Sequence, residues 1–143
     1  MKLTKVFALS AALLSAVAFS SCNKKSASST AGNGEPAKSY RIGIAKIVQH
    51  VALDSVEQGV IDFLNENGVN ATYDLQNANG DTNTAAQIAM KYRDERVDVA
   101  VGIATPVALA LANALDEIPV VFGTVTDPLG AGLVSTLDHG ERN

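Results

Sequence analysis

The stretch Val97-Asp-Val-Ala-Val-Gly-Ile-Ala-Thr-Pro-Val-Ala-Leu-Ala-Leu-Ala-Asn-Ala-Leu115 decides the fold. Its first seven residues are a short, β-branched apolar run of the kind that lies in the middle of a parallel sheet, covered on both faces. The turn that follows carries Thr105-Pro106, which predicts a helix with Thr105 as N-cap and Pro106 at the first helical position. The Ala- and Leu-rich run from Val107 to Leu115 is a strong helix former. A buried strand passing directly into a helix is half of a βαβ unit, and it predicts another strand beyond. Pro119-Val-Val-Phe-Gly-Thr124 meets that expectation.

The same rhythm runs upstream. Tyr40–Ile47 reads as a strand, and after a loop over Val48–Ala52 apolar residues recur at Leu53, Val56, Val60, Phe63 and Leu64, one face of a helix. Asn67-Gly68 ends it, with Gly68 suited to the left-handed C′ position. Ala71–Leu75 is the next strand, closed by the turn-rich Asn77-Ala-Asn-Gly-Asp81. A second helix begins between Asp81 and Thr84. Thr84 and Gln87 have capping-box spacing, and Asp81 is the competing cap. Ala85, Ile88 and Tyr92 face the sheet, and Phe63 and Phe122 are expected in the core. Strand and helix alternating in this way predict an α/β fold, a Rossmann-like parallel sheet with right-handed crossovers.

The N-terminus has a different character. Lys2 and Lys5 precede an almost uninterrupted apolar run from Val6 to Phe19, followed by Ser20, Ser21 and the single cysteine, Cys22. As a helix those 14 residues span about 21 Å, short of the ~30 Å hydrocarbon core, so a secretory signal is preferred to a transmembrane anchor. Phe19-Ser-Ser-Cys22 resembles a bacterial lipoprotein signal. The expectation is a signal peptide over 1–21, lipidation (palmitate or a similar acyl group) at Cys22, and a Ser/Ala/Gly-rich tether over 22–39. The protein would then sit lipid-anchored on the cell membrane, facing the periplasm or the exterior.

Composition bounds the function. The 143 residues are 47% apolar and 18% charged, which is globular rather than disordered. The net charge of −4 becomes −6 once residues 1–21 are removed, which argues against nucleic acid as partner. One Cys and 2 His give little material for a metal site. There is no Walker A pattern and no Gly-x-Ser-x-Gly elbow, and Gly130-Ala-Gly132 lacks the context of a dinucleotide fingerprint. No cofactor is expected and no enzyme is indicated. His50 is read as a surface or loop-packing residue. The acids of the helix faces, Glu57, Asp62, Glu66, Asp94 and Glu95, are read as solvated.

Binding chemistry in such a sheet lies beyond the carboxyl ends of the strands. Those loops are Val48–Leu53, Gln76–Asp81, Ala104–Pro106 and Val125–Gly132. The start of the third helix, with the Thr105 hydroxyl, suits a carboxylate, though a plain capping role explains Thr105 equally well. Asp127 suits an ammonium, and a turn-holding role explains it equally well.

At these loops IGIAKIVQHVALDSVEQGVIDFL, DLQNANGDTNTAAQIAMKY, DVAVGIATPVALALANAL and IPVVFGTVTDPLGAGLVSTL closely resemble the first lobe of an ABC-transporter substrate-binding protein family. The combination Q-N-A-x-G-D, A-T-P and V-T-D-P-x-x-A-G-L carries the resemblance from Tyr40 onward. It implies the first lobe of a type I periplasmic-binding-protein fold, truncated before the second lobe, over residues 40–143. It also implies an amino-acid-like ligand such as tryptophan or another aromatic, and permease and ATPase subunits as partners. Carried over by position, the ligand contacts are Gln49, Leu53, Gln76, Asn77, Ala104, Thr105, Pro106, Thr126 and Asp127. Thr105 and the helix amides would take the carboxylate, and Asp127 the ammonium. The alternative is a membrane-tethered small α/β lipoprotein with a structural or interaction role and no ligand.

Overall fold

The computed structural model describes residues 38–138. The expected signal segment, Cys22, the tether up to residue 37 and His139 lie outside the described residues. The elements run β1 (Tyr40–Lys46), α1 (Val51–Glu66), β2 (Ala71–Asn77), α2 (Thr82–Glu95), β3 (Val99–Ile103), α3 (Thr105–Ala114) and β4 (Val120–Gly123). All strand pairs are parallel, in the order β2-β1-β3-β4. The chain steps from β1 outward to β2, returns across β1 to β3, and continues to β4. With right-handed crossovers this sends α1 to one face and α2 and α3 to the other.

The strand residues sort accordingly. Ile42 and Ile44 of β1 and Val101 and Ile103 of β3 form the core beneath α1. Ala45 and Ala100 pack with Ala85, Ala89 and Tyr92 of α2 and Val107 and Leu111 of α3. This second face is the better sealed, because two helices share it and its strand positions are small. Gly43 faces the Tyr92 ring so closely that a Cβ there would stand 2.7 Å from a ring carbon. The Tyr92 hydroxyl donates to the Asp74 carbonyl at 2.8 Å, so a fully buried tyrosine keeps its polar end satisfied.

Several boundaries differ from the sequence expectation. The first helix begins at Val51, inside the stretch expected as loop, because His50 is its N-cap and accepts from the Ala52 N–H at 3.2 Å. The competing cap of α2 prevails. Asp81 accepts from the Asn83 N–H at 2.8 Å and from the Thr84 hydroxyl at 3.1 Å, so Thr84 serves the cap instead of forming a box. The second strand runs two residues further, and Gln76 and Asn77 are its last residues rather than part of the turn. Ala85, Ile88 and Tyr92 are buried as expected, and Gly68 ends α1 at φ 70°.

Phe63 is not in the core. It is 64% exposed, and with Val56, Val60, Val99, Val101 and Val121 it borders an open apolar groove of about 440 Å³. The spacing of Phe63 puts it on the apolar stripe of α1, but a single helix cannot cover four strands, and no residue of α1 is fully buried. Phe122 is half-buried. Two of the acids expected to be solvated are partly buried and held by a base. Glu57 is held by Lys46, and Glu95 accepts from Arg41 Nη2 at 2.7 Å.

Candidate functional site

The register makes the carboxyl ends of the strands level. Lys46 pairs with Asn77 on one side and with Ile103 on the other, and Ile103 pairs with Gly123. The loops that follow therefore leave from a single edge, with the order reversing between β1 and β3. Of the four non-glycine residues with positive φ among the described residues, three stand just past a strand on this edge: Asn79 (53°), Ala104 (81°) and Thr124 (55°).

Ala104 is the most strained. At φ 81°, ψ 151° it occupies a region that costs an L-residue about 1–3 kcal/mol. Its backbone is held at both ends, because its N–H donates to the Gly123 carbonyl at 3.0 Å and its carbonyl accepts from Ala108 at 3.1 Å. This conformation lets β3 turn directly into α3, and it moves the helix start one residue earlier than expected. Ala104, not Thr105, is the N-cap; Thr105 is the first helical residue and makes no capping bond. Its hydroxyl is thus not committed to the helix end. Pro106 has no N–H to offer, which leaves Thr105 and Val107 as donors in the opening turn. Close docking of α3 depends on Gly102, where a Cβ would approach the Ala108 Cα to 2.9 Å.

Beyond β4, the exposed Thr126 and Asp127 lie in a tight loop. Asp127 Oδ1 accepts from the Gly130 N–H at 2.8 Å, and its carbonyl accepts from Ala131 at 3.0 Å. A Cβ at position 130 would meet the Asp127 carboxylate, its Cγ at 2.9 Å, so a side chain there would displace the Asp127 side chain from the Gly130 N–H. Leu133, buried beneath this loop, donates its N–H to the Pro128 carbonyl at 2.9 Å.

On the other side of the reversal, Gln49, Gln76 and Asn77 border one depression of about 250 Å³ with Lys46, Glu57 and Leu75. Its floor is ionic. Lys46 Nζ lies 2.6 Å from Asp54 Oδ1 and 2.9 Å from Glu57 Oε1, and these bonds hold the Lys46 pKa above its ordinary value despite burial. Sequence reading left Lys46 unassigned and took Glu57 as solvated, although a lysine ending an apolar strand opposite acids on the next helix is a visible signal. Gln76 turns its amide to Asp74 Oδ1 at 2.6 Å, and Asn77 Oδ1 accepts from the Asn79 N–H at 2.9 Å. Leu53 is half-buried in the first turn of α1, packed against the core beneath it.

The expected contacts thus fall into two groups along one edge: Gln49, Gln76 and Asn77 by the β1–β2 depression, and Ala104–Pro106 and Thr126–Asp127 following β3 and β4. Among the described residues no group of three or more His, Cys, Asp or Glu side chains is placed to hold a metal ion. No described helix is long and apolar enough to cross a membrane.

The sequence pattern of the ABC transporter substrate binding protein family matches residues 41–143. The chain belongs to this family. Proteins of the ABC transporter substrate binding family bind solutes and are not enzymes. A curated relative, the tyrosine-binding protein of Clostridioides difficile, is 38% identical over 110 residues, covering 74% of this chain and 32% of its own. Among solved structures, a conserved domain protein from Vibrio cholerae is 44% identical with a TM-score of 0.68, over 70% of this chain and 35% of that one. The ABC domain from Streptococcus pneumonia in complex with L-Trp is 35% identical with a TM-score of 0.71, over 74% and 37%. A ligand-free, open substrate binding protein with adhesive properties from Clostridium difficile is 40% identical with a TM-score of 0.67, over 68% and 35%. The chain therefore spans about a third of the length of these relatives. Its four-stranded parallel sheet is the first lobe of their periplasmic-binding-protein fold.

Proposed function

We propose that residues 40–143 form one wall of a solute-binding cleft for an amino acid, with an aromatic amino acid such as tryptophan or tyrosine as the preferred class. The observation that carries this reading is Ala104. A residue strained at the carboxyl edge of a binding-protein lobe, with its neighbour's hydroxyl free of capping duty, fits a ligand-facing role better than a structural one. Thr105, with the opening amides of α3, takes the ligand carboxylate at the positive end of the helix. Asp127 takes the ammonium through the carboxylate oxygen not engaged by Gly130. Gln49, Gln76 and Asn77 border the side toward the ligand's side chain; Leu53 packs into the core instead. Relatives named for tyrosine and solved with L-Trp support the ligand class.

The family supports a wider reading for the transport role, and the Phe19-Ser-Ser-Cys22 signal supports a tether. The chain acts as the receptor of an ABC importer, delivering solute to permease and ATPase subunits, and is tethered to the membrane through lipidated Cys22. Metabolic labelling with a palmitate analogue tests the anchor; label that persists in Cys22→Ala overturns it.

A single wall buries only part of a ligand, so binding to this chain is weak and invisible at micromolar ligand. Titration of the 15N-labelled chain with L-tryptophan and L-tyrosine into the millimolar range is expected to shift the Thr105, Val107 and Thr126–Asp127 amides. Asp127→Asn is expected to weaken the effect at least tenfold. Spectra unchanged at millimolar ligand overturn the reading. The second reading, a tethered structural or interaction module with no ligand, is favoured by the bond between Asp127 Oδ1 and its own loop. Unchanged spectra in a folded chain are the outcome it requires.

A further inference from the structure

Gln76 stands at the carboxyl edge of β2 and borders the depression beside Lys46 and Gln49. Asp74 lies two residues before it, on the same face of the strand. Gln76 Nε2 donates to Asp74 Oδ1 at 2.6 Å. An ionised carboxylate only accepts, so the amide has one way to sit, with its nitrogen toward Asp74 and its carbonyl away. Among the described residues Gln76 makes no other side-chain hydrogen bond. The group it has left to offer is an acceptor.

Asp74 is itself pinned at three points. Lys91 Nζ of α2 binds its Oδ2, Gln76 holds its Oδ1, and the Tyr92 hydroxyl donates to its carbonyl at 2.8 Å. Lys91 is steadied in turn by Glu95 at 3.4 Å, and Glu95 by Arg41 at 2.7 Å. The Asp74 side chain is only 17% exposed, so it cannot swing into water without breaking these bonds. A free surface glutamine turns its amide at little cost and offers donor or acceptor to suit any ligand. A glutamine tied to a fixed carboxylate offers one of the two, and gives up less rotamer freedom when a ligand arrives.

We propose that Asp74 is a positioning residue for solute recognition: anchored by Lys91, it fixes the Gln76 amide so that the carbonyl faces the solute, and the cleft favours side chains that donate a hydrogen bond. The orientation of Gln76 stands by itself; the selectivity rests on the function proposed above. An indole N–H or a phenol O–H satisfies the carbonyl. A phenyl ring takes it out of water and gives nothing back.

Two measurements separate these parts. In 15N spectra the two Gln76 side-chain amide protons are expected to lie further apart than those of a solvated glutamine, and to converge in Asp74→Ala. A pair unchanged by Asp74→Ala overturns the positioning. Titrations of the Thr105 and Val107 amides then compare L-tyrosine with L-phenylalanine, and L-tryptophan with its 1-methyl derivative. In the native chain the donor-bearing member of each pair is expected to bind about threefold to tenfold more tightly. In Asp74→Ala both ratios should fall toward one. Lys91→Met, which leaves the carboxylate but frees it, should do the same and serves if the first variant does not fold. Equal binding within each pair in the native chain overturns the selectivity. A variant that weakens all four ligands alike, with the ratios kept, has only loosened the fold and overturns the role of Asp74. No shift with any of the four overturns the proposed function, while the Gln76 signals still decide whether Asp74 fixes the amide.

Discussion

Lys46 Nζ lies 2.9 Å from Glu57 Oε1, and the other oxygen of the same carboxylate, Oε2, is buried without a hydrogen-bond partner. Both side chains are largely out of solvent, 12% and 13% exposed. One lysine at the end of β1 therefore compensates a carboxylate whose remaining oxygen has lost its water and gained nothing. A half-satisfied buried acid depends on its single partner more than a surface pair does.

Removing that partner is expected to be costly. Lys46→Met leaves Glu57 charged and unpaired, and should lower stability by about 3 kcal/mol in guanidinium denaturation. Lys46→Met with Glu57→Leu removes the stranded charge as well and should recover most of the loss. Equal destabilisation by the single and double variants would show that packing, not charge, sets the cost.

The same pair has a pH signature. Hydrogen bonds from Lys46 to Asp54 and Glu57 raise its pKa above the ordinary lysine value. The stability this contributes is fully present below about pH 10, where the unfolded lysine is still charged, and is lost as pH rises through the higher folded value. Denaturation midpoints should fall more steeply above pH 10 in the native chain than in the double variant.

At the acid end, Asp74 works with the opposite sign. Burial pushes its pKa up, but the hydrogen bonds from Lys91 and Gln76 more than offset this and leave it below the usual carboxylate range. Its contribution is present above about pH 4 and disappears as pH falls through the folded value. Asp74→Asn is expected to flatten the decline in urea midpoint between pH 5 and pH 3. A decline as steep as in the native chain would assign it to other acids.

Ala104→Gly should stabilise the chain. Relief of the strained φ 81°, ψ 151° is worth about 1–3 kcal/mol, and the greater freedom of glycine in the unfolded chain takes back about 0.5–1 kcal/mol. A net gain near 1 kcal/mol is expected in thermal unfolding. A loss would mean that the Ala104 methyl contributes more in packing than its backbone costs.

Gly102→Ala should do the reverse. The new methyl meets the backbone of Ala108 at 2.9 Å and the Leu111 side chain at 3.0 Å, and a helix backbone cannot yield as a side-chain tip can. Displacing the start of α3 is expected to cost about 1–3 kcal/mol, visible as a lower melting temperature.

Much of the fold was legible because its signals are local. Alternating apolar runs, Asn67-Gly68 at the end of α1 and Thr105-Pro106 at the start of α3 specify elements within a few residues of themselves. The inward residues of α2 follow from helical spacing alone. Where two local signals competed, as with Asp81 and Thr84, the outcome depended on side-chain geometry: a carboxylate accepts from Asn83 and Thr84 together. The cap at His50 was hidden because histidine is an unusual capping residue, and it caps only through one neutral ring nitrogen.

The candidate site was legible as a set of loops and not as a set of contacts. Composition and order put Gln49, Gln76–Asn77, Ala104–Pro106 and Thr126–Asp127 at strand ends. That these ends are level, that Ala104 rather than Thr105 caps α3, and that Asp127 is tied to Gly130 depend on pairing between distant strands and on backbone torsions. The Lys46–Asp54–Glu57 floor is of the same kind, a contact between elements.

The sequence by itself determined the order and type of the elements and the family to which the chain belongs. These are properties of short windows, set by side-chain volume, polarity period and turn chemistry. The tertiary structure decided which apolar and charged residues are covered, because coverage depends on how many helices share a face of the sheet. Phe63 and Glu57 lie on the same helix and exchanged their expected places. The aromatic ring overhangs a face that one helix cannot close, and the acid is drawn inward by a lysine on a strand.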